Sequence, residues 1–345
     1  MDRVEAVFES EIADGVVHGA AVLAGEPGRT VYARCFGFAE AAHRYPMTAS
    51  TIIDIASMTK VVAATTALLI CRDRGLVDFD APFTKYLTDF SAELPGPVTV
   101  RDLAMHVSGF SHEGVSVRQY FAESGAEIMQ NILRHPPLFK AGEHFEYACW
   151  NFLLLGLIVE RVTGESLTAF CRREIFEPLG MGDSSPGKPA VSDPARLAQT
   201  MGTAEPGVLS DFIAFRVYRD GLACGNAGVF STADDLAKFA RAVLRGGEYG
   251  DGKRLFSADS FREIATPRMK FAPVERSFGW IVRDEWTPAG ASGRTIWHSG
   301  WSGQTLFLDL EKGRFVIVLT TRCGDYDRAR RERFEAIGEI LTTRF

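Results

Sequence analysis

Residues 61–71, Val-Val-Ala-Ala-Thr-Thr-Ala-Leu-Leu-Ile-Cys, carry no charge and are apolar nearly all round a helical projection. A helix with no polar face has to be buried in a core. It is too short to cross a bilayer, which takes about 18 residues or more. The preceding stretch, Ile-Ala-Ser-Met-Thr-Lys at 55–60, is thereby carried to the edge of that core. A helix opening at Ser57 puts Lys60 one turn on, on the same face, so hydroxyl and ammonium become neighbours. Free N–H groups and the positive dipole end there favour charge developing on a reacting oxygen. Desolvation at the helix mouth is expected to lower the Lys60 pKa toward a value useful for proton transfer.

Ser-x-x-Lys is short enough to arise by chance, and the chain contains a second copy. Ser185-Pro-Gly-Lys188 has the same letters, but Pro and Gly make it a loop with no helical face. Gly247-Glu-Tyr-Gly-Asp-Gly252-Lys253 imitates a phosphate loop; Arg254 stands where a metal-binding hydroxyl belongs, and no strand-turn-helix context surrounds it. No serine has the Gly-x-Ser-x-Gly setting of a nucleophile elbow. Histidines and acidic residues do not cluster at metal-ligand spacing, so neither metal nor cofactor is expected. His18, His43, His112, His135 and His144 read as loop or surface residues without a role.

A net charge of −6, spread without blocks, leaves no basic footprint for nucleic acid. The first residues form an amphipathic acidic helix without an apolar signal core, so the expected compartment is the cytoplasm, with no membrane partner. The six cysteines, Cys35, Cys71, Cys149, Cys171, Cys224 and Cys323, show no paired spacing and read as reduced structural thiols. The sequence leaves the oligomeric state open.

Along the chain a helix is expected over 2–15 and strands over 18–25 and 30–37, around the Gly25-Glu-Pro-Gly28 turn. Helical spacing follows at 151–163, ended by Gly164, and at 167–176. Ser231 reads as the cap of a helix running through Arg245. From about Phe278 the period becomes alternating, giving strands at 278–282, 294–298, 304–309 and 314–320, then a charged helix over 327–342. Strands at both ends with helices between imply an α/β (α+β) chain: an antiparallel sheet built from the two termini and flanked by helices. Residues 1–75 and 275–345 are expected to form the sheet domain and 76–274 a mostly helical one, with the active site between them.

Two distant segments add to Ser57. Phe145-Glu-Tyr147-Ala-Cys149-Trp-Asn151 places a tyrosine just before a helix, and Trp297-His298-Ser299-Gly300 runs into a second glycine turn, Trp301-Ser302-Gly303. The order Ser-x-x-Lys, Tyr-x-(Asn), (Lys or His)-(Ser or Thr)-Gly resembles the serine β-lactamase and penicillin-binding superfamily. The flanking text looks most like class C β-lactamases, family VIII esterases and D-amino-acid peptidases. Supporting phrases run through nearly the whole chain: Val98-Thr-Val-Arg-Asp-Leu with His106-Val-Ser108-Gly109, Leu154-Leu-Gly156 with Glu160-Arg-Val-Thr-Gly164, Pro178-Leu-Gly-Met181, and Gly225-Asn-Ala-Gly228-Val-Phe-Ser231-Thr.

The resemblance implies a β-lactamase/transpeptidase-like fold and acyl transfer through a covalent serine ester. Ser57 would attack a carbonyl while Lys60 and Tyr147 move protons. Titrating as a pair, they leave open which one takes the serine proton. The backbone N–H groups of Ser57 and Trp301 would hold the oxyanion. Strand alternation puts His298 and Gly300 on one face and Ser299 on the other, with Gly300 letting substrate lie against the strand. Two departures bear on substrate. His298 replaces a common Lys and, at an ordinary pKa near 6.5, would be about a quarter cationic at pH 7, a weak carboxylate anchor. Cys149 falls where relatives hold a substrate amide with Asn, and a thiol bonds poorly; Asn151, two residues on, should point elsewhere. The expected function is a carboxylesterase-like serine hydrolase acting on a small acyl substrate. The alternatives are a β-lactamase or D-amino-acid peptidase, an acyltransferase, and a non-catalytic binder of acyl or peptide ligands.

Overall fold

The computed structural model describes residues 2–111, 124–325 and 327–343. Its main layer is an eight-stranded antiparallel sheet in the order β2-β1-β13-β12-β11-β10-β9-β8. The N-terminal hairpin, β1 (Val17–Glu26) and β2 (Arg29–Gly37), pairs through β1 with the long strand β13 (Arg314–Arg322). Next come β12 (Thr305–Asp309), β11 (Thr295–Ser299), β10 (Ile281–Arg283), and a hairpin of β9 (Val274–Arg276) with β8 (Met269–Phe271). The two termini thus meet within one sheet, as its second and third strands.

Both faces are covered, and the two-residue period divides the side chains between them. Ala20, Val22, Ala24, Trp297, Phe307, Val316 and Val318 pack under the terminal helices α1 (Asp2–Ala13) and α10 (Asp327–Thr342). Ala21, Leu23, Ile296, Leu306, Phe315, Ile317 and Leu319 face the larger core on the other side. Every residue from Val61 to Cys71 is buried in that second core, as an all-apolar helix requires. The segment enters as a tight turn, Ala56–Met58, widens to π-helical geometry over Lys60–Thr65 and continues as α2 (Thr66–Asp73). The remaining helices are α3 (Val100–Ala104), α4 (Gly125–Ile132), α5 (Cys149–Thr163), α6 (Leu167–Cys171), α7 (Phe212–Arg219), α8 (Ala233–Leu244) and α9 (Ala258–Ala265). A small sheet of β3 (Ile53–Asp54), β5 (Val229–Ser231) and β4 (Ser185–Pro186) seats the chain just before Ser57, and β6 (Glu248–Gly250) pairs with β7 (Lys253–Arg254) in a separate ribbon.

Two local expectations are corrected, and one element is added. Ser231 does not cap α8: it pairs with Ile53 inside β5, its hydroxyl meets that of Ser184, and Thr232 takes the cap by accepting from the Asp235 N–H. Residues 278–280 are not strand. Gly279 sits at φ +82°, and a Cβ there would lie 2.1 Å from the Thr65 hydroxyl, so the backbone turns where the alternating letters suggested extension. The β8–β9 hairpin was invisible in the sequence, because two three-residue strands with charges at Lys270 and Glu275 make no readable period.

Candidate active site

Ser57, Tyr147, His298, Ser299, Gly300 and Trp301 line one cleft of about 490 Å³. Lys60 lies directly behind Ser57, fully buried, and its ammonium donates to Ser57 Oγ at 3.0 Å. The one-turn spacing read from the sequence is therefore realised, across a π-helical start. The same ammonium donates to the Asn226 carbonyl at 2.8 Å and lies 3.8 Å from Cys149 Sγ. It stands 5.1 Å from the Tyr147 ring centre.

The expected lowering of the Lys60 pKa is not what the surroundings produce. Burial does pull it down, yet Cys149 and Tyr147 first, and Asp211 behind them, more than offset the loss, and the pKa stands above the ordinary lysine value. Lys60 is the donor in its contacts with Ser57 Oγ and the Asn226 carbonyl. Burial pushes the Cys149 thiol up, only partly opposed by Lys60, so that contact is a weak N–H···S interaction between a cation and a neutral thiol.

The turn carrying Ser57 is strained and tied down. Ala56 adopts φ +48°, a conformation that costs a non-glycine residue about 1–3 kcal/mol. Asp54 holds it: Oδ1 accepts the Ala56 N–H at 2.8 Å, while Oδ2 accepts the Ser210 N–H and hydroxyl at 2.8 and 2.7 Å. Ser210 Oγ in turn accepts from the Trp301 indole N–H at 3.2 Å. One buried carboxylate thus links the nucleophile turn to the residue after the third motif. Gly300 serves this approach in a way the sequence reading did not anticipate. A Cβ there would meet Ala56 Cβ at 2.9 Å and the Ile55 carbonyl at 3.0 Å, so the missing side chain makes room for the nucleophile turn. The indole of Trp301 is 45% exposed at the cleft edge.

Tyr147 is positioned by a residue given no role from sequence. His106, buried at φ +59°, stacks on the Tyr147 ring with centroids 4.5 Å apart. Its carbonyl accepts the Glu146 N–H at 2.9 Å, and its Nδ1 accepts the Ala148 N–H at 3.2 Å. One histidine therefore fastens the backbone on both sides of the tyrosine. Asn151 points away from the cleft, as its spacing suggested: its amide nitrogen meets His106 Nδ1 at 3.0 Å and its oxygen accepts from Ser108 at 2.5 Å.

His298 shares the inner face of β11 with Ile296, and its ring centre lies 6.4 Å from that of Tyr147. The expectation of a quarter-cationic imidazole is overturned. Burial first, then Arg276 and Lys60, hold its pKa well below the ordinary value, and the ring is neutral at pH 7. Its Nδ1 is 2.9 Å from the Ser299 carbonyl, which can only accept, so the proton is on Nδ1. Nε2 carries a lone pair and has no partner among the described residues. Asn226, from a phrase quoted only for its glycines, was also missed: the close approach of Gly225 to Phe152 and Gly156 of α5 delivers its carbonyl to Lys60. The second Ser-x-x-Lys, at Ser185, lies in β4 and a loop and faces a different pocket. His112 lies outside the described residues. Among the described residues no group of three His, Cys, Asp or Glu could hold a metal, and no helix is long and apolar enough to cross a membrane.

Against known proteins, residues 4–339 match the Beta-lactamase family. The chain belongs to that family. It is a serine hydrolase of the β-lactamase/transpeptidase fold. A protein of Escherichia coli O157:H7 provisionally named a D-alanyl-D-alanine carboxypeptidase is 28% identical, the match covering 93% of this chain and 81% of that one. Esterase EstB of Burkholderia gladioli is 26% identical over 92% of this chain and 89% of its own. Among solved structures, EstCE1, described as a hydrolase with promiscuous acyltransferase activity, superposes with a TM-score of 0.80 at 19% identity, over 99% of this chain and 98% of that one.

Proposed function

We propose that this β-lactamase-family protein hydrolyses small esters through a Ser57 acyl-enzyme. The observation that carries the reading is the Lys60 ammonium donating to Ser57 Oγ at 3.0 Å in a cleft walled by Tyr147 and His298. In the reaction Ser57 Oγ bonds to the carbonyl carbon, and its proton passes to the Lys60–Tyr147 pair in the state of the pair that is one proton short, which then returns it to the leaving alcohol as the carbonyl–alkoxy bond breaks. Water then releases the acid. The backbone N–H groups of Ser57 and Trp301 hold the oxyanion in this scheme. Cys149 supports an ester over a lactam or peptide: its neutral thiol offers a substrate amide almost nothing to bond to. EstB, an esterase, is a relative of comparable coverage. In this reading the partner is a small acyl substrate met in the cytoplasm.

Intact mass after mixing with 4-nitrophenyl acetate tests the reading. A stoichiometric acyl adduct and burst, both absent in Ser57→Ala, are expected. Turnover of a β-lactam or a D-alanyl-D-alanine peptide matching that of nitrophenyl esters would reject the ester preference, and the absence of any serine adduct would reject the chemistry.

A further inference from the structure

The third motif supplies no cation. With its proton held on Nδ1 by the Ser299 carbonyl, His298 turns a lone pair toward its surroundings, and a lone pair repels a carboxylate. Arg276, Arg322 and Arg330 bring positive charge to the same cleft; Arg322 donates to the Gly324 and Trp301 carbonyls and Arg330 lies over the Trp286 ring. Arg276 ends β9, paired with Met269 of β8 and Ile281 of β10, and it lines the cleft beside His298 and Tyr147 although only 1% exposed. Its guanidinium has five N–H donors, yet among the described residues it makes a single hydrogen bond, to the Gly279 carbonyl at 3.3 Å. Its Nε is buried without an acceptor, and it belongs to no ion pair among the described residues. The Phe145 ring, 5.7 Å from its Cζ, gives it a face to rest on but no counter-charge.

Burial pushes the Arg276 pKa down to about 10, with Tyr147 and Asp284 opposing only in part. Of the acids on the cleft wall, Asp284 and Glu285, the one that acts on Arg276 is Asp284, and it is committed to its own turn: Oδ1 accepts the Trp286 N–H at 2.8 Å and the Thr287 hydroxyl at 3.3 Å. A buried cation without a partner is costly to keep and is balanced when a ligand brings the anion. A planar guanidinium fork matches a carboxylate in two parallel hydrogen bonds.

We propose that the substrate is an anionic ester, a molecule carrying a carboxylate beside the scissile ester, and that Arg276 receives that carboxylate. This rests on the serine-ester reading above, narrowing its substrate class and moving the anion contact from the third motif to the sheet edge.

The test is direct binding to Ser57→Ala, which cannot form an acyl-enzyme. Monomethyl glutarate and dimethyl glutarate, alike in length and differing in charge, are titrated by calorimetry at millimolar concentration. The monoester is expected to bind about tenfold tighter or more, with the preference lost in Ser57→Ala/Arg276→Met and partly kept in Ser57→Ala/Arg276→Lys. Equal affinity for the two esters, no measurable binding of the monoester, or a preference that survives Arg276→Met overturns the proposal. If the Met variant does not fold, the two-ester comparison in Ser57→Ala decides alone. Because no turnover is read, the outcome is separate from failure of the serine chemistry, which shows instead as a missing adduct on the wild-type chain.

Discussion

His106 grips the chain at Glu146 and Ala148 and stacks on the tyrosine between them, so the phenol's place depends on an imidazole 41 residues earlier in sequence. Removing it in His106→Ala is expected to lower kcat by about 10²-fold, the scale of an ångström-level misplacement, with a much smaller change in KM. Steady-state kinetics on a nitrophenyl ester reads both, and an unchanged kcat would deny His106 any positioning role. His298 gives a pH prediction. Its folded pKa lies well below the ordinary 6.5, so as pH falls below about 6.5 the unfolded chain binds a proton that the native chain refuses. The unfolded state then holds more protons, and stability declines progressively from pH 6.5 downward. His18 and His135 are shifted the same way, also by burial. Thermal melts at pH 7.5 and 5.0 should show a smaller acid loss in His298→Gln than in the parent chain. Neither His106 nor the neutrality of His298 was legible in the sequence, since both follow from neighbours that are distant along the chain.

The approach of α5 to the Gly225–Gly228 turn is what brings a carbonyl to Lys60. A Cβ on Gly225 would lie 2.4 Å from the Phe152 carbonyl, so the two backbones touch only because that residue is glycine. Gly225→Ala should cost about 1–3 kcal/mol in stability, the range for overpacking. It should also displace Asn226 from Lys60, lowering kcat together with the melting temperature. Urea denaturation and kinetics on one preparation check it, and a variant with parental values of both would refute the close-contact account. The nucleophile helix itself was readable, because an apolar run of this length can only be buried and the Ser57-to-Lys60 spacing is a property of one helical turn. Its π-helical opening was not, since that geometry is shaped by what packs on it, including the backbone of Gly279 against Thr65. The same contact explains why residues 278–280 turn where alternating letters suggested strand.

Across the molecule, one buried ion pair ties the two ends of the chain to the site. Arg333 of α10 donates Nε to Glu11 Oε1 of α1 at 2.9 Å, pairs a second nitrogen with Oε2, and donates Nη1 to the Gly303 carbonyl at 3.1 Å, in the turn that follows Trp301. Both side chains are nearly inaccessible to solvent. Removing one partner strands the other's charge, and Arg333→Met should destabilise the protein by about 3–5 kcal/mol. Glu11→Leu/Arg333→Met should recover much of that loss, because no lone charge is then left buried. Chemical denaturation of the single and double variants measures this, and a double variant no more stable than Arg333→Met would refute it.

By itself the sequence determined what depends on short range. Two-residue and helical periods placed the terminal strands and their helices, a charge-free run required a buried helix, and one turn joined Ser57 to Lys60. The tertiary structure decided the rest: a Lys60 whose pKa is raised rather than lowered, a neutral His298, a tyrosine clamped by His106, and an Arg276 without an ion pair among the described residues, on a hairpin too short to show a period. Those are matters of burial and Coulomb interaction. Both are set by which distant residues the fold makes neighbours, and no local pattern of letters encodes that.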